Sequence, residues 1–201
     1  MPLTLHPFPP SLYQQPMPPD ARSADLAEDL EFIERWRGGD ELAARALVER
    51  HSEALARFAV SQGVRDEVDE LVQDTFVRAF ASLDSFRGES TLRTWLFTIE
   101  RRLMLDRRRA ERRSRETVPV QESDHVSEYG ALDALIAEEV QERVRRSLEA
   151  LSPTQREVFT LRVQQGLSYK EIAVIVDSTE GAARVHYHNA IRTVKEFLSD
   201  E

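Results

Sequence analysis

The residues best suited to chemistry in this chain are arginines, and ten of them lie in the thirty residues of Phe86–Arg115. The segment has no lysine and four acidic residues, so its net charge is +6. A planar guanidinium makes two parallel hydrogen bonds to one phosphate, so dense arginine favours a polyanion. The flanking segments are acidic: residues 66–85 have a net charge of −5 and residues 116–142 one of −8. This sorting of charge predicts one surface for a polyanion and two for other partners.

Composition limits the possible classes of protein. The chain has 201 residues, 41% of them hydrophobic, which suffices for one large or two small domains. Its net charge of −9 argues against nonspecific coating of nucleic acid. Cysteine is absent, which excludes disulfides and thiol chemistry and fits a reducing cytoplasm. No apolar run approaches the roughly 20 residues of a membrane helix, and the N-terminus lacks a secretory pattern, so we expect no membrane insertion.

An enzyme is not expected. The five histidines form no convincing ligand set, and His186 and His188, two residues apart, must point to different sides of a helix. Nothing in the sequence resembles a phosphate-cradling glycine loop or an activated nucleophile. We therefore predict no catalytic residues, no metal and no cofactor.

Helices must position the arginines, because the sequence predicts an all-α fold. Residues 1–24 hold seven of the nine prolines and are predicted to be a disordered, solvated tail, with a polyproline ligand as the alternative. From Asp25 apolar residues recur at helical spacing, and Gly38-Gly39 ends the first helix. Asp40 can cap the second helix, which ends near Gly63.

A third predicted helix begins near Glu67, with apolar residues on one side and acidic residues on the other. Spacing alone favours an ordinary solvated face for the acidic side, and a dock for a basic partner helix is the alternative. After the loop Phe86–Thr91, a helix with Trp95 in its apolar stripe carries the arginines mainly off that stripe. Trp95 could stack on bases, but its position in the stripe favours a place in the core.

Residues 114–134 are predicted to form a flexible acidic linker between two small helical domains. Beyond it, Ser152 and Ser168 each begin a capping box. The second box opens a short helix, and a turn of about three residues leads to a longer helix that is basic on its outer side. This is the pattern of a helix-turn-helix. Arg184 and His188 can reach base edges or phosphates.

Three stretches resemble the extracytoplasmic-function (ECF) group of bacterial sigma factors. They are Asp69–Arg78, Phe86–Leu96, and the segment from Leu151-Ser152-Pro153 through Gly166–Ala173 to the helix at Glu180. A helix-turn-helix alone is weak evidence, whereas both blocks in this order, joined by an acidic linker, are strong. The resemblance implies an alternative sigma factor that binds core RNA polymerase and directs promoter-specific initiation in response to a stress or envelope signal.

The resemblance also implies how the domains divide the work. Residues 25–113 would bind core polymerase and recognise and melt the minus-ten element, and residues 135–201 would recognise the minus-thirty-five element. The linker would thread towards the active-site and RNA-exit channels, where its acids could mimic RNA charge or be ordinary disorder. The implied partners are the β′ clamp and β flap of the polymerase, promoter DNA and an anti-sigma factor. Such a factor could hold this cytoplasmic, nucleoid-associated protein at the inner membrane.

Three sets of residues follow from matching the chain to the family's motifs. The core-polymerase set is Asp69, Glu70, Gln73, Asp74 and Arg78. The minus-ten set is Phe86, Arg87, Ser90, Thr91, Arg93, Trp95, Arg101, Arg102 and Arg108. The minus-thirty-five set is Ser168, Tyr169, Lys170, Glu180, Ala182, Arg184, Val185, His188 and Arg192.

Departures from the family pattern leave the promoter sequence undetermined. Ala182-Ala183 stand where the family often has Thr-Val, and Asn189 stands where it often has Arg. Two other functions fit the sequence less well. A sigma mimic that sequesters an anti-sigma factor without activating promoters needs no basic DNA-reading helices. A conventional dimeric helix-turn-helix regulator leaves the first domain without a purpose.

Overall fold

The computed structural model describes residues 19–115 and 146–199. These ranges contain helices and no strand, which confirms the all-α prediction. The helices are α1 (Pro19–Arg37), α2 (Glu41–Ser61), α3 (Val68–Ala81), α4 (Leu92–Arg115), α5 (Pro153–Val163), α6 (Tyr169–Ile175) and α7 (Glu180–Ser199). A 3₁₀ turn, Leu83–Ser85, follows α3. Most of the predicted tail and nearly all of the predicted linker lie outside the described residues.

The helices begin and end where local sequence signals require. The Asp40 side chain accepts a hydrogen bond from the Leu42 N–H at 3.0 Å, which caps α2, and Gly63 follows that helix with a φ of 89°. Both predicted capping boxes are present, at Ser152 and Ser168. α1 starts at Pro19, earlier than the predicted start at Asp25. Proline suits the first position of a helix because its missing N–H needs no partner there.

Helices α1–α4 form the N-terminal domain around an aromatic and aliphatic core. Phe58 of α2 and Phe97 of α4 meet edge to face, with ring centroids 5.3 Å apart. Leu71 of α3 and Leu96 of α4 are also fully buried. This packing fixes α4 against α3, so the acidic and the basic helix of the sequence are neighbours.

One polar pair ties α1 to α2 inside this domain. The sequence places His51 in an apolar stripe with no carboxylate on its own helix face. The structure supplies Asp29 from α1, whose Oδ1 lies 3.0 Å from His51 Nε2 and 3.2 Å from Arg50 Nε. Asp29 is 1% exposed, and burying its charge requires partners of this kind.

Helices α5–α7 form the C-terminal domain, and α6 and α7 form the predicted helix-turn-helix. Asp177, with a φ of 53°, makes the sharp turn between them. Tyr187 of α7 is half-buried and lies near Phe159, with ring centroids 6.4 Å apart. One side of α7 packs on α5 and α6, and the opposite side, which we call its outer side, is exposed.

The two domains contact each other. Val158 and Leu161 of α5 are fully buried in the same apolar cluster as Phe58 and Phe97. α6 packs on α4, and α5 contacts α2. None of the described helices is both long and apolar enough to cross a membrane.

Candidate nucleic-acid interface

The acidic side of α3 is an accessible surface. Asp69, Glu70, Gln73 and Arg78 are exposed and Asp74 is half-buried, so the five predicted polymerase contacts share one reachable helix. Val77 lies among them and is 60% exposed. A charged surface with an apolar residue at its centre suits protein docking, because buried apolar area supplies the binding energy.

Arg107 of α4 is bound to this acidic surface, which the sequence did not reveal. Its guanidinium donates to Glu67 Oε2 and Asp74 Oδ2 at 2.8 Å each and to Glu70 Oε1 at 3.2 Å. Two of these acids belong to the predicted polymerase set. Arg107 therefore joins α3 to the arginine helix α4.

A cleft of about 380 Å³ opens between the loop after α3 and the start of α4. It is lined by Ser85, Phe86, Arg87, Glu89, Ser90 and Trp95. The ring centroids of Phe86 and Trp95 are 5.2 Å apart, so the predicted core tryptophan forms a cleft wall instead of being fully enclosed. An aromatic wall beside a cation and hydroxyl groups can hold an unstacked base.

Thr91 has a structural role beside this cleft. Its Oγ1 accepts a hydrogen bond from the Thr94 N–H at 3.2 Å and caps the start of α4. The predicted minus-ten residue Thr91 therefore positions the arginine helix, and the cleft is lined by its neighbours. Ser90 contacts the same turn through its hydroxyl, which donates to the Thr91 carbonyl at 3.3 Å.

The arginines of the basic block differ in how far they are exposed. Arg87 and Arg102 of the predicted minus-ten set are exposed. Further exposed arginines near the end of α4 are Arg109, Arg112 and Arg113, and Arg109 pairs with Asp106 at 3.3 Å. Arg101 is half-buried, and its Nε donates to Glu157 Oε2 of the C-terminal domain at 2.9 Å. Arg108 donates to the Gln62 carbonyl at 2.6 Å.

Arg93 is also held by the C-terminal domain. Its Nη2 donates to Gln165 Oε1 at 2.5 Å, and its guanidinium lies 5.8 Å from the centre of the Phe97 ring. Burial lowers the pKa of the Arg93 guanidinium, and the nearby Arg57 adds to that effect. Its buried Nε has no hydrogen-bond partner among the described residues.

The Glu100 side chain does not cancel any of the positive charge of the arginines, although its position among them in the sequence suggests that it would. It is 0% exposed, and neither carboxyl oxygen has a hydrogen-bond partner in the described part of the chain. Burial raises its pKa to about 9, so the carboxyl is neutral at pH 7. The exposed basic block is consequently one charge more positive than the count of acids in the sequence implies.

The predicted minus-thirty-five residues of α7 lie on its outer side or at the edge of that side. Arg184, Val185, His188 and Arg192 are exposed, and Ala182 is half-buried. Of the other predicted residues, Lys170 and Glu180 are exposed, while the Ser168 side chain accepts the Glu171 N–H as a cap. A helix with small and basic outward residues fits the major groove.

Tyr169 organises the cations beside this surface. Arg162 and Arg184 lie 4.7 and 5.1 Å from the centre of its ring, and Arg184 also pairs with Glu180. Cations over an aromatic face are held in place by the ring's charge distribution. Arg162 was missed from the sequence because its approach to Tyr169 depends on how α5 packs on α6.

These surfaces can bind a protein and a nucleic acid. Within residues 19–115 and 146–199, no group of three or more His, Asp or Glu side chains is placed to hold a metal ion. The order along the chain is an acidic helix, an aromatic cleft, an arginine helix and a helix-turn-helix. Comparison with known proteins identifies which family shares this order.

Residues 47–114 match the family model described as Sigma-70 region 2, and residues 141–194 match the one described as Sigma-70, region 4. The ECF RNA polymerase sigma-E factor of Escherichia coli (strain K12) is 32% identical over 168 residues, covering 78% of this chain and 86% of that protein. The chain belongs to the ECF sigma factors. The ECF RNA polymerase sigma factor BldN of Streptomyces coelicolor is 30% identical over 188 residues, covering 90% of this chain and 70% of that protein.

Solved structures of sigma factors share the fold. A sigma factor RpoE from Bartonella quintana, crystallised with the anti-sigma factor NepR, is 31% identical, with a TM-score of 0.60 over 77% of this chain and 93% of that one. CnrH in complex with the cytosolic domain of CnrY is 28% identical, with a TM-score of 0.63 over 89% of this chain and 99% of that one. The resemblance found in the sequence is confirmed, and this chain is an alternative sigma factor. ECF sigma factors bind core RNA polymerase and promoter DNA as specificity subunits.

Proposed function

We propose that this sigma factor docks on core RNA polymerase through α3, opens the minus-ten element with the cleft and α4, and reads the minus-thirty-five element with α7. The order of these three surfaces along the chain supports the proposal most directly. An acidic helix suits a basic partner helix, and arginine-rich surfaces suit phosphates. No single surface suffices, because each recurs in unrelated proteins.

In this proposal the cleft binds the base that leaves the stack when the minus-ten element melts. Phe86 and Trp95 form an aromatic wall, and Arg87 and Ser90 provide a cation and a hydroxyl at its rim. An extruded base costs a few kcal/mol of stacking, which contacts to an aromatic pocket offset. Arg102 and the exposed arginines near the end of α4 can then hold the phosphates of the displaced strand.

An anti-sigma factor is the proposed regulator. Two of the similar solved structures are complexes of a sigma factor with a protein partner, NepR or the cytosolic domain of CnrY. A partner of that kind on this chain would couple release to a stress or envelope signal and could hold the protein at the inner membrane. The protein would otherwise act in the cytoplasm, where the polymerase works.

Charge reversal on α3 tests the docking surface. Asp69→Lys places a cation on the exposed acidic face and is expected to weaken binding to core polymerase at least tenfold, because like charges across an interface are costly. Glu49→Lys makes the same charge change on the exposed side of α2 and serves as the control. Affinity is measured by fluorescence anisotropy of labelled protein with purified core enzyme. Equal affinities for the two variants would remove α3 from the docking surface.

A further inference from the structure

A stripe of four side chains along α7 combines small, apolar, amide and basic groups. Its members follow one another at spacings of three, four and three residues, which places them on one side of the helix. They are Ala182, Val185, Asn189 and Arg192, which we call the α7 stripe. Val185 is 58% exposed, Arg192 is exposed, and the other two are half-buried.

Asn189 makes no contact that explains an asparagine in the middle of α7. Within residues 19–115 and 146–199 its side-chain amide forms no hydrogen bond. Asparagine is disfavoured inside helices, because its amide competes with the backbone for hydrogen bonds. The amide is therefore free to bind a partner outside the chain, with an oxygen that accepts and an NH₂ group that donates.

The basic side chains of α7 do not lie beside Asn189 in the first part of the stripe. Arg184 lies on the side that faces α6, where it pairs with Glu180 and lies 5.1 Å from the centre of the Tyr169 ring. Arg192 ends the stripe, with its Nε 4.0 Å from Glu196 Oε1. The first three members of the stripe thus present apolar surface and one amide, without a guanidinium.

This combination of groups fits an A·T pair better than a G·C pair. In the major groove, arginine and lysine bind guanine, asparagine and glutamine bind adenine, and apolar side chains contact the methyl group of thymine. At a rise of 1.5 Å per residue, Ala182 and Asn189 are about 10 Å apart along the helix axis. That length corresponds to about three base-pair steps of 3.4 Å.

We propose that Asn189 reads an adenine of the minus-thirty-five element. Its side-chain oxygen accepts a hydrogen bond from the N6 amino group of the base, and its NH₂ group donates to N7. The inference rests on the proposed function of α7 and adds the base that this helix selects. It also makes specificity depend on Asn189, a position where the family often has arginine, which would select guanine.

The test is a selection of minus-thirty-five sequences by holoenzyme assembled from the full chain and purified core polymerase. One promoter mapped by transcription of host genomic DNA is randomised in its minus-thirty-five region, and the bound sequences are determined. Wild type is compared with Asn189→Ala and Asn189→Arg. Lys195→Ala, which removes an exposed cation from the same helix, is the control. Thermal unfolding checks the fold, and Asn189→Ala should not lower Tm, because alanine is the best helix former.

Wild-type holoenzyme is expected to enrich an A·T pair, with adenine on one fixed strand, at least about fivefold over the other pairs at one position. Asn189→Ala should remove the preference at that position and keep the others. Asn189→Arg should change it to guanine. Lys195→Ala should keep the whole pattern, since a lost phosphate contact weakens all sequences alike.

Three results would overturn the assignment of Asn189 alone. They are unchanged preferences in Asn189→Ala, an equal loss at every position, and a G·C preference at the position that Asn189→Ala affects. A wild-type holoenzyme that enriched no minus-thirty-five sequence would instead overturn the proposed function of α7, and the reading of adenine with it.

Discussion

At the scale of single residues, burying the Glu100 carboxyl costs free energy when the group is ionised. Its place in an arginine-rich sequence does not indicate this cost. It is fully buried, its carboxyl oxygens have no hydrogen-bond partner among the described residues, and its pKa is raised to about 9. In the unfolded chain the same carboxyl ionises near its ordinary pKa of 4.5, so the folded chain binds one more proton between these two values. Stability therefore falls as pH rises from about 4.5 to about 9.

Replacing Glu100 tests whether its pKa is raised in the folded protein. Glu100→Met keeps a long unbranched side chain without the acid and is expected to raise the free energy of unfolding at pH 7 by roughly 3 kcal/mol. The gain should be small near pH 5 and larger near pH 8. Urea unfolding of variant and wild type at both pH values measures it, with the exposed Glu49→Met as control. A gain that does not change with pH would contradict a raised pKa.

Arg184 on α7 is held by two contacts: it pairs with Glu180 and lies over the Tyr169 ring. If it reads a base of the minus-thirty-five element, Arg184→Ala should cost roughly 1–3 kcal/mol of binding and relax specificity at one position. Holoenzyme binding to matched and single-mismatch duplexes measures both effects. Arg45→Ala removes a cation from the exposed side of α2 and is expected to leave discrimination intact. Unchanged discrimination in Arg184→Ala would exclude it from base reading.

At the scale of elements, the sequence predicted helix ends better than helix partners. Asp40, Ser152 and Ser168 act within four residues of themselves, so their capping roles were readable from local spacing. The ligands of Arg107 and Arg101 come from other helices, and no local spacing indicates which helix a side chain meets. For this reason the sequence of Phe86–Arg115 suggested one uniform basic surface, whereas in the structure Arg101 and Arg107 pair with acids from elsewhere in the fold.

Arg87, at the rim of the cleft before α4, is predicted to contribute to promoter opening. Arg87→Ala removes an exposed cation from its rim without disturbing the buried Phe86, so binding to core polymerase should not change. Formation of the open promoter complex should fall severalfold, because one phosphate or base contact is lost. Permanganate reactivity of thymines in the minus-ten element measures opening. Arg45→Ala is the control, and equal opening in the two variants would remove Arg87 from the melting site.

At the scale of the whole molecule, charge is sorted into the acidic helix α3, the arginine helix α4 and the helix α7, which is basic on its outer side. The two helical domains and the family could be predicted because each domain carries its own motifs. The contact between them could not, since nothing in the local sequence around Glu157 and Gln165 indicates that they meet α4, which they do through tertiary packing. That contact joins α4 to α5 through Arg101–Glu157 and Arg93–Gln165.

In-vitro transcription of host genomic DNA with purified core polymerase, with and without this protein, tests the central claim most directly. Mapped transcript starts should appear only when the protein is present, preceded by two shared sequence elements about 25 base pairs apart from centre to centre. Asp69→Lys should abolish these starts and Glu49→Lys should retain them. A set of starts that does not depend on the protein would contradict the account.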